Sequence, residues 1–185
     1  MSGKLMREIK QTKPFGSLEE ELILNLIRTT DFFVHRNGEL LKQFGLSGEQ
    51  YNVLRILRGA GPGGLPCSEI GARMLTRSPD ITRLLDRLEA AGFAQRARST
   101  NDRRVVNTVI SKEGLSLLKD LDGPVLEGAR SSLQHMPQSA LRSTIKLLEE
   151  LRTPESAPST VAGQESGKRV RTIAVKKTNP MGERS

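Results

Sequence analysis

From Ser17 onward the chain sets apolar side chains at steps of three, four and seven: Leu18, Leu22, Leu26, Phe33, Leu40 and Phe44, with Asn37 in the same register. That spacing gathers them on one stripe and predicts a long amphipathic helix, which Gly45 stops. Ser47, with Gln50 three residues on, has the form of a capping box. It predicts a second helix whose buried face is Tyr51, Leu54 and Leu57. Gly59 to Pro66 contains four glycines and two prolines, which predicts a loop. Cys67 to Leu75 reads as a short helix with Ile70 and either Met74 or Leu75 turned inward. Ser78 is placed to cap the next helix with Pro79 at its first position, where a missing N–H costs nothing. That helix runs through Ile81, Leu84, Leu85 and Leu88 to a stop at Gly92.

The period then changes from 3.6 to two. Phe93 to Arg98 predicts a strand, and Ser99 to Asp102 a polar turn. Arg104 to Ile110 predicts a second strand, with Val105, Asn107 and Val109 on one face. Ser111 is placed to cap a further long helix carrying Leu115, Leu118, Leu121 and Val125. Pro137 opens a last one, striped by Leu141, Ile145, Leu148 and Leu151. Two helices separated by three or four residues, the second opening on polar and basic groups, form a helix-turn-helix pattern. The hairpin directly after them is a wing. The expected fold class is therefore mainly α with a small antiparallel β wing: a winged helix-turn-helix over residues 46–110, flanked by long helices in 17–45 and 111–152.

Composition narrows the picture. Five Phe, one Tyr and no Trp leave the core to Leu, Ile, Val and Met, which suits helices packed on helices. No apolar run approaches the ~18 residues of a membrane span, so no membrane partner is expected. Residues 1–16 are polar, lack the apolar stretch of a signal peptide, and are expected to be flexible. Cys67, the single cysteine, excludes an internal disulfide and fits a reducing cytoplasm. Two histidines and one cysteine without ligand spacing predict no metal site. The absence of a glycine-rich phosphate loop and of a Cys/His pairing argues against an enzyme and against a bound cofactor. After Arg152 the chain is poor in large apolar residues and rich in Ser, Thr, Pro and Gly. There six basic residues (Lys168, Arg169, Arg171, Lys176, Lys177 and Arg184) face three acidic ones, so 153–185 is expected to be a disordered basic tail. The net charge of +8 favours polyanions, although by itself it does not separate DNA from other acidic partners.

The order of elements over Ser17 to Arg152 resembles the MarR (multiple-antibiotic-resistance regulator) family of winged-helix transcription regulators. Its most specific stretch is Ile81-Thr82-Arg83-Leu84-Leu85-Asp86-Arg87-Leu88-Glu89-Ala90-Ala91-Gly92-Phe93, which looks like the family's recognition helix entering the wing. Asp102-Arg103-Arg104, the alternating strand and Ser111-Lys112-Glu113-Gly114 look like the wing signature. The resemblance implies a homodimer bound to double-stranded DNA, acting as a repressor rather than an activator on a pseudo-palindromic operator. Its interface would be made by the first helix and the last two. Members of that family often release DNA on binding a small anionic or phenolic compound between the dimerisation helices and the winged domain; for this chain the low aromatic content leaves an aliphatic pocket or none as the alternatives. The basic tail and the 59–66 loop depart from the family pattern.

A recognition helix reads base edges with its first turn, which here offers Arg77, Ser78, Asp80, Thr82 and Arg83, with Arg87 one turn on. Asp80 and Ser78 have a simpler alternative as partner of the helix dipole and as cap. For Arg87, a phosphate contact and an ion pair with Asp86 or Glu89 are both open. On the wing, Arg103 and Arg104 can enter the minor groove, with Asp102 pairing to Arg104 as the resemblance implies. Arg96 and Arg98 lie on the same hairpin and suit phosphate. Cys67 reads as a small buried hydrophobe rather than a redox sensor, and His35 and His135 as structural. Two other readings fit the charge: an architectural DNA binder of low specificity, motivated by the tail, and a winged-helix module for protein–protein contact.

Overall fold

The computed structural model describes residues 3–77, 80–98 and 104–153. The chain divides into two compact units, 1–136 and 137–185, and the second is described through a single helix.

The first unit opens with a short helix α1 (Lys4–Glu8), which buries Leu5. The segment 1–16 was expected to be flexible; the structure instead gives it this helical turn, which a pattern of five residues is too short to announce. Helix α2 (Leu18–Lys42) begins where Ser17 Oγ accepts from the Glu20 amide at 3.2 Å. Glu19, Glu20 and Glu21 follow in its first turn, where negative charge opposes the helix dipole favourably. It ends through Gly45, whose φ of +73° only glycine adopts at no cost, with the Leu46 amide donating back to Leu41.

Helix α3 (Gly48–Ala60) carries the predicted capping box: Ser47 Oγ accepts from the Gln50 amide, and Gln50 Oε1 from the Ser47 amide. It is the centre of the core. Val53, Leu54 and Leu57 are fully buried and pack with Ile70 of α4 (Cys67–Arg73), Leu84, Leu85 and Leu88 of α5 (Ile81–Ala90), and Leu118 and Leu121 of α6 (Lys112–Leu133). Met74, not Leu75, is the residue turned inward after α4; Leu75 is 86% exposed.

Strands β1 (Leu65–Pro66), β2 (Ala94–Arg98) and β3 (Val106–Ile110) form one antiparallel sheet in the order β1-β3-β2. The 59–66 loop is thus corrected at both ends. Helix α3 runs on through Ala60, and Leu65 pairs with Thr108. That pairing depends on Gly64, where a Cβ would collide with the Thr108 carbonyl and φ is +62°. On the other edge Ala94 pairs with Ile110 and Arg98 with Val106. The turn expected over 99–102 lies outside the described residues.

The Ser-Lys-Glu-Gly stretch is a joint. Ser111 Oγ accepts from the Gly114 amide at 2.9 Å and donates to the Gly92 carbonyl at 2.7 Å. Gly114 lies so close to the Phe93 carbonyl that no Cβ fits there. The start of α6 is thereby locked onto the end of α5. In the second unit, α7 (Gln138–Glu150) opens at Pro137, its N-cap, whose carbonyl accepts from the Leu141 amide at 3.2 Å.

Candidate nucleic-acid interface

Helix α5 separates its faces sharply. Leu84, Leu85 and Leu88 are buried, while Thr82, Arg83, Asp86 and Arg87 face solvent. The outward positions fall at i, i+1, i+4 and i+5, one continuous polar strip two turns long.

Its N-terminus differs from expectation. The helix begins at Ile81, not Pro79, and its cap is Asp80, whose Oδ1 accepts from the Arg83 amide at 3.1 Å. Ser78 lies outside the described residues. The two helices of the pair are consequently separated by residues 74–80, more than the three or four expected. Asp80 also reaches the side chain of Arg83, Oδ2 to Nε at 3.0 Å, and the Arg83 side chain remains 79% exposed. One carboxylate therefore ends the helix and orients a guanidinium that stays open to a ligand. Arg77 is exposed in the preceding turn.

Arg96, expected as a phosphate partner, is engaged elsewhere. From β2 it reaches across to α5, where Nη1 donates to Glu89 Oε2 at 2.7 Å and Nη2 donates to Asp86 Oδ1. Its backbone amide donates to Glu89 Oε1 at 3.1 Å. The hydrogen bond it donates to Asp86 raises the guanidinium further above its ordinary range, with the charge of Glu89 adding to it. Both carboxylates that were candidate partners of Arg87 are taken by Arg96, and Arg87 carries no ion pair among the described residues. Arg98 and Arg104 are exposed at the far end of the hairpin. Asp102 and Arg103 lie outside the described residues, and with them the expected Asp102–Arg104 pairing.

Two contributors escape sequence reasoning. Asn52 of α3 accepts from the Leu75 amide at 2.9 Å and so holds the turn before α5. Asn107 donates to the Gly63 carbonyl at 2.8 Å and ties the wing to the 59–66 segment. A polar residue on an otherwise apolar face is the only signal either gives. Among the described residues no group of His, Cys, Asp or Glu is arranged to hold a metal, and no helix is long and apolar enough to cross a membrane.

The arrangement presents a polar helix and a basic hairpin side by side on a rigid frame, and known proteins share it. The sequence model of the MarR family matches residues 46–106. The HTH-type transcriptional regulator PrsX of Escherichia coli is 30% identical over 119 residues, 64% of this chain and 72% of its own. The crystal structure of a MarR transcription factor from Planctomyces limnophilus is 41% identical, spans 74% of this chain and 99% of its own, and superposes with a TM-score of 0.56. A cysteine-to-serine mutant of MarR from E. coli, complexed with operator DNA, is 20% identical over 75% of this chain and all of its own, and shows the same fold with a TM-score of 0.64.

Proposed function

The chain belongs to the MarR family of DNA-binding transcription regulators, and from that premise we propose that it is a repressor which binds a pseudo-palindromic operator as a homodimer. The single observation that carries the sequence-specific part is the outward strip of α5. Thr82 and Arg83 offer the hydrogen-bonding groups that distinguish base pairs in a major groove, and Arg87 follows one turn on. Arg98 and Arg104, exposed on the hairpin, suit phosphate and minor-groove contacts, and Arg103 and Asp102, the latter as partner of Arg104, are assigned to the same wing by the family resemblance alone. Arg77, exposed just before α5, suits a contact with the DNA backbone there, and Ser78 is assigned to the same contact from the sequence alone.

Exposed apolar residues support the homodimer. Helix α2 exposes Leu18, Ile23 and Ile27, and α7 exposes Ile145, Leu147 and Leu151. A second copy would cover both sets in an isologous interface. The effector, a small anionic or phenolic compound, rests on the family resemblance. MarR-family proteins are transcription regulators, and we assign this chain no enzymatic reaction. We place it in the cytoplasm, where its lone cysteine stays reduced. Selection of bound duplexes from a random DNA library tests the whole reading: a two-fold symmetric consensus supports it, and recovery of unrelated sequences favours the architectural alternative.

A further inference from the structure

Arg58 and Asp122 stand 64 residues apart in sequence and meet across α3 and α6. The guanidinium donates Nη1 to Oδ2 at 2.9 Å and Nη2 to Oδ1 at 3.0 Å, a parallel two-bond fork. The hydrogen bond from Arg58 holds the Asp122 carboxyl below its ordinary range, and the same bond raises Arg58, so both groups stay charged at neutral pH.

Helix α6 is attached to the winged half in three ways that restrain different motions. Ser111 and Gly114 fix its first turn against Gly92 and Phe93. Leu118 and Leu121 sink into the core and fix its depth. Apolar burial has no direction of its own, so it fixes the roll and slide of the helix less sharply than a directional bond does. A bidentate arginine–carboxylate pair does have direction and opposes both. Asp122 lies eight residues beyond Gly114, about 12 Å along the axis at ~1.5 Å per residue, where a small change of angle is amplified.

We propose that Arg58 and Asp122 form a positioning pair that sets the angle between the winged half and α6, and through it the half-site spacing that the dimer accepts on DNA. The inference rests on the homodimeric reading above. In a two-fold dimer the separation of the recognition helices follows from how each winged half hangs on the helices that dimerise, and half-site spacing mirrors that separation.

The test uses the full chain, the duplex it selects from random DNA, and variants of that duplex with one or two base pairs added to or removed from the centre. Wild type should discriminate sharply among spacers. Arg58→Leu and Asp122→Asn should each reduce that discrimination by about tenfold while leaving the preferred half-site bases unchanged. Arg58→Asp combined with Asp122→Arg should restore it. Arg58→Lys keeps the charge and loses the fork, so it should also broaden the spacing profile, and it decides the matter if a bolder variant fails to melt cooperatively. Folded variants that keep the wild-type spacing profile, or that lose affinity equally at every spacing, would overturn the proposal. A chain that selects no sequence at all would overturn the DNA-binding reading, and this inference with it.

Discussion

Arg96 grips Glu89 twice, through its backbone amide at 3.1 Å and through Nη1 at 2.7 Å, and so straps the wing strand to the recognition helix. Its charge is spent on Asp86 and Glu89 rather than offered to phosphate. Arg96→Ala should therefore weaken DNA binding without changing its salt dependence, because a lost phosphate contact lowers the salt slope by about one and a lost strap does not. Titrations at several salt concentrations check this. A slope reduced by about one per protomer would return Arg96 to the phosphate contacts.

Gly114 makes the joint between α5 and α6 possible. A methyl group there meets the Phe93 carbonyl, which belongs to the backbone and cannot swing aside. Gly114→Ala should destabilise the fold by about 1–3 kcal/mol, the usual range for overpacking. Thermal or urea unfolding measures it, and a variant as stable as wild type would show that the joint is looser than described.

The reading element and its cap separate by substitution. Arg83→Ala should cost roughly 1–3 kcal/mol of binding and relax preference at one or two positions of each half-site. Asp80→Ala should lower folding stability by about 1 kcal/mol through loss of the cap, and weaken binding as well because Arg83 loses the carboxylate that orients it, whereas Asp80→Asn keeps the cap and the stability. Binding isotherms on base-substituted duplexes, paired with unfolding curves, distinguish the two. Equal loss of affinity on every sequence for Arg83→Ala would make it a phosphate contact.

The wing offers a test of sign. Arg104→Ala should weaken binding and shift preference in flanking A·T-rich DNA, where groove width rather than individual bases is read. If Asp102 pairs with Arg104 as proposed, Asp102→Ala should weaken binding too, although it removes a negative charge beside a polyanion, because the arginine then loses an orienting partner. Higher affinity for Asp102→Ala would leave the wing as nothing more than a charged loop.

Much of this architecture was legible because its signals are local. Ser47 with Gln50, and Ser111, cap helices by bonds to amides three residues ahead, and both do so in the structure. Gly45 and Gly92 end helices through left-handed backbone that other residues resist. What stayed hidden depends on distant partners. Leu65 and Pro66 are a strand only because Thr108 and Asn107 come alongside. Arg96 looks like any hairpin arginine until Asp86 and Glu89 are placed beneath it. Ser78 and Asp80 are both good caps two residues apart, and Pro79 at a first helical position favours Ser78 in the sequence, whereas the structure caps α5 with Asp80.

The central claim is sequence-specific binding by a dimer. The most direct measurement titrates the full chain against its selected duplex and a scrambled duplex of equal length at ~150 mM salt, with the mass of the complex read alongside. A sequence-specific dimer gives two chains per duplex and an affinity ratio of at least ~10³. One chain per duplex, or equal affinity for both DNAs, would contradict it.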